Sequence, residues 1–296
     1  MRGPISVVVN PAAGRGRALK LLPELRALLA ARGIEHVVSV SASPQEPEIL
    51  ARTAAEAGTT AVIAVGGDGL AGMVANGLAG SSTALGVVPA GTGDDFARAL
   101  GLSRRRPLEG LDLLTDALRP RTVDLGLVST AERSRYFVAV ASAGFDAEVA
   151  AVANRIRGGG RIRYVLALLR TLQRFRPLSL DVVVDGARSS LPAMLIAIGN
   201  GPTYGGGMRV TPGARIDDGE LEACLVRALG RARFLATFPR VYRGTHVRHP
   251  KVTMLHGQRF EVTSDRRTPV FADGEAVGVL PATVEVVPGA LRVLSR

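Results

Sequence analysis

Hydrophobic positions in the first 120 residues alternate between two patterns. A continuous β-branched run, "ISVVVN", gives way to "RALKLLPELRALLAARG", whose apolar residues recur at helical spacing up to a glycine stop at Gly33. The same alternation repeats in "EHVVSVS" and "EPEILARTAAEAG", in "TAVIAVGG" and "LAGMVANGLAG", and in the strand "TALGVVPAGTG". "DDFARALGL" and "PLEGLDLLTDAL" follow with helical spacing. Unbroken apolar strands separated by helices predict a parallel sheet covered by helices.

Beyond "RPRTVDLGLV" the pattern changes. "RYFVAVASAG", "LSLDVVVDG", "PAMLIAIGN", "ELEACLVRAL", "VTML", "RFEVTS", "TPVFADG" and "ATVEVVPG" are short, closely spaced and alternating, as expected of a largely antiparallel β domain. Two helical segments interrupt them, around Tyr164–Arg174 and Arg231–Tyr242. The change sets a domain boundary near Asp124, giving domains over residues 1–124 and 125–289, with the terminal "ALRVLSR" (290–296) available to complete the first.

Composition narrows the classes. A hydrophobic fraction of 47% over 296 residues supplies cores for two domains. The single cysteine, Cys224, excludes an internal disulfide and reads as a core thiol. Met1-Arg2-Gly3-Pro4 runs straight into a strand, and no apolar run approaches the roughly 18 residues of a membrane span, so a cytoplasmic protein is expected. The net charge of +11 is almost all arginine, since Lys20 and Lys251 are the only lysines. Such a balance suits anionic partners. Aromatics at 4%, not interleaved with the arginines, and the lack of zinc-ligand or helix-turn-helix spacing argue against nucleic acid.

Three glycine-bearing turns follow predicted strands. "GGDG" (Gly66–Gly69) holds a carboxylate on bare backbone at a helix start, where anions are favoured; Asp68 is then either chemical or a helix cap. "VNPAAGRGRA" has an Asn10-Pro11 turn with Gly14 and Gly16 behind it, but lacks the Gly-Lys-Ser/Thr ending of a P-loop. "PAGTGDDFARAL" places Thr92 between two glycines, with Asp94, a candidate N-cap, and Asp95 next. Turns at the carboxyl ends of parallel strands converge on one crevice.

Together with "GNGPTYGGGMRVTPGARIDDGELE" and "ADGEAVGVLPATVEVVPGALRVL", these turns resemble the bacterial diacylglycerol-kinase-like lipid kinases, relatives of sphingosine and ceramide kinases. The likeness runs over nearly the whole chain, with the motifs in family order. It implies a Rossmann-like, NAD-kinase-like N-terminal α/β domain and a C-terminal antiparallel β-sandwich domain. It also implies transfer of the γ-phosphoryl group of ATP to a lipid hydroxyl, with magnesium.

By this resemblance Asn10, Pro11, Ala12, Ala13, Gly14, Ser41, Gly66, Gly67, Asp68, Gly69, Leu70, Ala71, Gly72 and Thr92 surround the nucleotide. For Ser41 a plain strand-end role is the alternative. Glu275 is the expected general base, with Asp273 orienting the site or magnesium; the reverse assignment stays open. Asp68 would act through magnesium and water, with Asp95 and Asp124 as partners. A second, structural magnesium would take the Asp218 side chain and the backbone carbonyls of Arg215 and Glu220, against a metal-free turn as the alternative. The partner implied is a lipid substrate. The arginine excess and the basic, partly apolar segment Asn154–Pro177 add an anionic membrane surface, bound peripherally. A solvated face on a core-packed helix is the alternative for that segment, and a homodimer is left open.

Three positions depart from the family pattern. Leu70 and Gly72 stand where a threonine and an asparagine are usual, and Asp94 replaces an asparagine. The expectation is that Leu70 sits beside the phosphates without a hydroxyl, so that Leu70→Thr strengthens ATP binding, and that Asp94 has a raised pKa. A soluble NAD-kinase-like enzyme and a catalytically impaired nucleotide- or lipid-binding protein are the alternative functions.

Overall fold

The protein is described by a computed structural model covering residues 4–114, 120–156 and 160–295. The chain divides into two compact units, Met1–Leu125 with Pro288–Arg296, and Gly126–Val287.

The first unit is built in the order β1 (Ile5–Val9), α1 (Arg17–Ala31), β2 (His36–Val40), α2 (Glu46–Glu56), β3 (Ala61–Gly66), α3 (Asp68–Leu78), β4 (Ala84–Pro89) and α4 (Asp95–Ala99). Its strands lie in the order β2-β1-β3-β4 and all pair in parallel. β3 and β4 are buried at every residue, which is why they read as unbroken apolar runs. β2 is the edge strand and leaves Val37 exposed. Because the strands are parallel, the turns after β1, β3 and β4 all leave from the same edge of the sheet.

The segment "PLEGLDLLTDAL" is not the α-helix its spacing predicts. A 3-10 helix covers Glu109–Leu114, and residues 115–119 lie outside those described. Gly110 is its second residue, and glycine disfavours α-helix by about 1 kcal/mol relative to alanine. Leu108 and Leu111 are buried regardless.

The second unit begins within β5 (Arg121–Thr130) and continues through β6 (Ser134–Phe137), β7 (Val140–Gly144), α5 (Phe145–Arg155), α6 (Gly160–Arg174), β8 (Leu178–Val184), β9 (Ala187–Gly199), β10 (Leu221–Arg227) and α7 (Arg231–Thr237). It ends with β11 (Val252–Gly257), β12 (Arg259–Ser264), β13 (Pro269–Ala272), β14 (Glu275–Val279) and the start of β15 (Ala282–Val293). Pairing is antiparallel along β14-β13-β7-β9-β8-β12-β15, with β10 and β11 joined to the other side of β9. β9 is shared: Ala187–Ala193 pairs with β8, whereas Leu195–Gly199 runs between β7 and β10. The last residues of β15, Arg292 and Val293, belong to the first unit and pair in parallel with Ala84 and Leu85 of β4.

Three details differ from the sequence pattern. "RYFVAVASAG" is two strands, β6 and β7. Helix α5 follows where the sequence pattern assigned no element; Asp146 and Glu148 in its first turn and Arg155 in its last suit the helix dipole. The segment Arg231–Tyr242 is α7 followed by a 3-10 turn over Phe238–Arg243, because Pro239 has no N–H to continue the α ladder.

The second core gathers around aromatic rings. Phe145 makes edge contacts with Phe175 and Phe234, at 5.3 and 4.8 Å between centroids. On β12 burial alternates strictly, with Phe260 and Val262 inward and Arg259, Glu261 and Thr263 outward. Phe260 is wholly buried between its register partners Val184 and Val284. Phe260→Ala should therefore lower unfolding free energy by about 3–5 kcal/mol, read from urea denaturation, because the neighbouring strands cannot collapse into the space.

Candidate active site

In the first unit the turns meet backbone to backbone. Asn10 folds its own turn, its Oδ1 accepting the Ala12 N–H at 3.0 Å. Gly14 takes φ +56°, and a Cβ there would lie 2.1 Å from the Ala90 carbonyl oxygen. A Cβ on Gly91 would stand 2.5 Å from the Gly67 Cα. Only glycine fits at these approaches, and the Ala90 N–H donates to the Gly66 carbonyl at 2.8 Å. The turns after β1, β3 and β4 thus form one surface of main-chain atoms, with Thr92 exposed at its rim. Ser41 is buried at the end of β2, and its hydroxyl donates to the Val9 carbonyl at 3.1 Å, the strand-end role.

Carboxylates pin these turns. Asp68 is the first residue of α3, and its Oδ1 accepts the Phe96 N–H of α4 at 3.0 Å. Asp94, at the N-cap position of α4 with φ 55°, turns away from the helix. Its Oδ1 accepts the Gly91 N–H at 2.9 Å and its Oδ2 meets Arg104 Nε at 3.0 Å. Burial holds the Asp94 carboxyl above its ordinary pKa, against the lowering effects of the Gly91 bond and the Arg104, Arg17 and Arg98 guanidinium groups. Asp95 pairs with Arg98 Nη1 at 2.5 Å, and Asp124 accepts the Gly289 N–H at 2.8 Å. The structure thus joins Asp68 to the start of α4, and Asp94 to the β4 turn. Among the described residues no group of three or more His, Cys, Asp or Glu is arranged to hold a metal ion.

Leu70 does not present its side chain at the surface of the turns. Its side chain is 3% exposed and lies back on the end of β3, where a Cβ on Gly66 would be 2.6 Å from Leu70 Cδ2. Ala71 and Gly72 are also buried, and the Ala71 N–H is spent on the Gly67 carbonyl at 3.1 Å. A ligand at this helix start would therefore meet the amides of the first turn, residues 67–70, which have no intrahelical acceptor.

In the second unit Asp273 adopts φ 49° and grips the chain before β7. Its Oδ2 accepts the Val138 N–H at 2.8 Å, and its Oδ1 accepts those of Ala139 and Val140 at 3.0 and 3.1 Å. Burial nevertheless pushes its carboxyl up to about 6, against those three bonds and Arg135. Glu275 meets Arg135 Nη2 at 3.0 Å and stays partly exposed. At "ARIDDGELE" the Asp218 carboxylate accepts the Glu220 N–H at 3.2 Å, Gly219 has φ +74°, and Arg215 faces Asp217 at 3.6 Å.

The sequence reading missed one cluster. Asp146 Oδ2 accepts bonds from Tyr204 Oη at 2.5 Å and Ser142 Oγ at 3.0 Å. Asp146 and Tyr204 border a half-open cavity whose other walls are nearly all apolar, among them Phe145, Leu168, Leu195 and Phe234. It has room for several water-sized groups. The signal was present: an acid two residues after the strand-ending Gly144, and a tyrosine inside the glycine-rich segment.

Comparison with known proteins agrees with this arrangement. Residues 4–128 match the diacylglycerol kinase catalytic domain, and residues 139–295 match the YegS C-terminal NAD kinase beta sandwich-like domain. The chain belongs to the diacylglycerol-kinase-like family of lipid kinases, which are phosphotransferases. A diacylglycerol kinase of Mycobacterium tuberculosis is 35% identical over 99% of this chain and 95% of its own length. One of Bacillus subtilis is 27% identical, covering 93% of this chain and 90% of its own. The crystal structure of a diacylglycerol kinase from Bacillus anthracis superposes with a TM-score of 0.73 at 19% identity, covering 99% and 97% of the two chains, a likeness of fold. The expected α/β domain and β-sandwich-like domain are both present.

Leu70→Thr should lower stability by about 1–3 kcal/mol in chemical denaturation, since it removes core packing and buries a hydroxyl, and should not tighten ATP in titrations. A second expectation concerns pH. With the folded carboxyl of Asp273 raised to about 6, its stabilising contribution is full below the unfolded value and is lost as pH rises through 6. The Tm of the wild type should therefore fall more between pH 4 and 7 than that of Asp273→Asn, whichever of the two is more stable.

Proposed function

We propose that this protein transfers the γ-phosphoryl group of ATP to the hydroxyl of a diacylglycerol-like lipid. The observation that carries this reading is the apolar cavity of the second unit, closed at one side by the Asp146–Tyr204–Ser142 cluster. A soluble polar acceptor would have no use for walls of this kind, which argues for the lipid kinase over the NAD-kinase-like alternative.

The glycine turns at Gly14 and Gly67 fit a polyphosphate, because these residues carry no side chain of their own to keep a ligand from the main chain. Asn10 to Gly14, Gly66 to Leu70 and Thr92 would hold the nucleotide. Magnesium fits the donor set as well, since it takes one or two carboxylates and keeps several waters; Asp68, Asp95 and Asp124 would hold it indirectly. Bound there, the ion would neutralise charge on the transferring phosphate. The turn at Asp218 already has a backbone donor on its carboxylate, and a structural magnesium there would use the other carboxylate oxygen with the Arg215 and Glu220 carbonyls.

Glu275 is our assignment for the general base. Both oxygens of Asp273 are engaged by main-chain N–H groups, which makes Asp273 the positioning residue of this loop. Arg135 Nη2, 3.0 Å from the Glu275 carboxylate, orients it to take the proton of the acceptor hydroxyl. Membrane association belongs to the same reading. Among the described residues no helix is long and apolar enough to cross a bilayer, and Asn154–Pro177, whose residues 157–159 lie outside those described, carries arginines at both ends.

Incubation with labelled ATP, magnesium and a panel of diacylglycerol, phosphatidylglycerol and a sphingoid base should give a phosphorylated lipid. Glu275→Gln should lower kcat by roughly 10²–10⁴ with the KM for ATP little changed. A wild-type protein that phosphorylates no lipid of the panel, or a Glu275→Gln variant with full turnover, would end this reading.

A further inference from the structure

The segment from Ala228 to Lys251 contains five arginines, one lysine and no aspartate or glutamate. It includes α7 and the 3-10 turn after it. Its inner side, with Phe234, Thr237, Phe238 and Val241, is a wall of the apolar cavity. Its outer side exposes Arg231, Arg233, Leu235, Arg240, Tyr242 and Arg243. Helix α6 has the same construction. Leu168 lines the cavity, whereas Leu166, Leu169, Arg170 and Arg174 are exposed, and the sequence from Val149 to Leu180 holds seven arginines and no acid.

Among the described residues none of Arg231, Arg233, Arg240 and Arg243 has an ion-pair partner. Unpaired guanidinium groups interleaved with exposed leucine and tyrosine fit a surface that is both anionic and apolar just beneath its charge. A bilayer containing acidic lipids has that profile: arginines meet the headgroups while Leu235 and Tyr242 reach the acyl boundary.

We propose that the α7 segment, Arg231 to Arg243, together with the outer face of α6, is the surface on which this protein docks to an anionic bilayer. Docking there presents the apolar cavity behind both elements to the lipid phase, so that an acyl chain passes from membrane to cavity without crossing water. The proposal rests on the lipid-kinase reading for its purpose, but not for its test.

The test is co-sedimentation with vesicles of phosphatidylcholine alone or with added phosphatidylglycerol, at low and high salt. Wild type should bind the anionic vesicles and be released as salt screens the charges. Arg231→Gln with Arg233→Gln should reduce partitioning roughly thirtyfold, the loss of about two surface arginines, with an unchanged melting temperature. Leu235→Ser with Tyr242→Ser should weaken binding at every salt concentration. In the kinase assay these variants should lose turnover of long-chain diacylglycerol in vesicles and keep that of a short-chain, monomeric diacylglycerol. Wild-type affinity of both double variants for anionic vesicles would overturn the proposal, as would equal wild-type binding to neutral and anionic vesicles. Should the wild type dock, the variants fail to dock, and no lipid be phosphorylated, the docking surface stands and the kinase reading falls.

Discussion

The approach of Gly14 to the Ala90 carbonyl, and of Gly91 to the Gly67 backbone, leaves no space for a Cβ at Gly14 or Gly91. This contact between main chains sets how the turns after β1, β3 and β4 lie together. It requires the parallel sheet beneath, because only strands running the same way bring their outgoing turns to one edge. It also determines what the surface can bind. With side chains absent, amides and a helix start face outward, and these favour an anion.

The acidic residues divide by what holds them. Asp68, Asp124 and Asp273 each accept main-chain N–H groups from another part of the chain, and so act as pins between segments, whereas Asp94 accepts one from Gly91 within its own turn. Asp273 makes three such bonds, enough to set the path of Val138–Val140. Glu275, two residues along the same hairpin, instead meets a single guanidinium. Two carboxylates so close in sequence thus have separate duties, one orienting the loop and the other open to chemistry. Asp94 combines its bond to the Gly91 N–H with an ion pair to Arg104, and the two together offset the cost of burying its carboxylate.

How far the sequence could be read followed from how each element is buried. β3 and β4, buried on both faces, announced themselves as apolar runs, and the alternation of β12 was equally plain. The glycine turns were visible because few other contexts need so many glycines after strands. Helix α5 was not read, since its alanines and valines continue the composition of the strand before it. Leu70 was misplaced because a helix start exposes some positions and buries others within one turn, and a motif gives no rotational phase. Asp146 and Tyr204 are 58 residues apart and meet only after β7 and β9 have paired. No local pattern encodes such a contact.

Cys224 lies in the cavity wall, buried in β10, with its thiol pushed up to about 12 by burial and by the neighbouring Glu222 carboxylate. As the only sulfhydryl of the chain it stays protonated at any physiological pH, and the thiolate is the reactive form. The folded protein therefore offers oxidants no thiolate, and two copies no route to a disulfide cross-link. A cysteine introduced anywhere on its surface would be a unique chemical handle, addressable by an alkylating dye without first removing the native one.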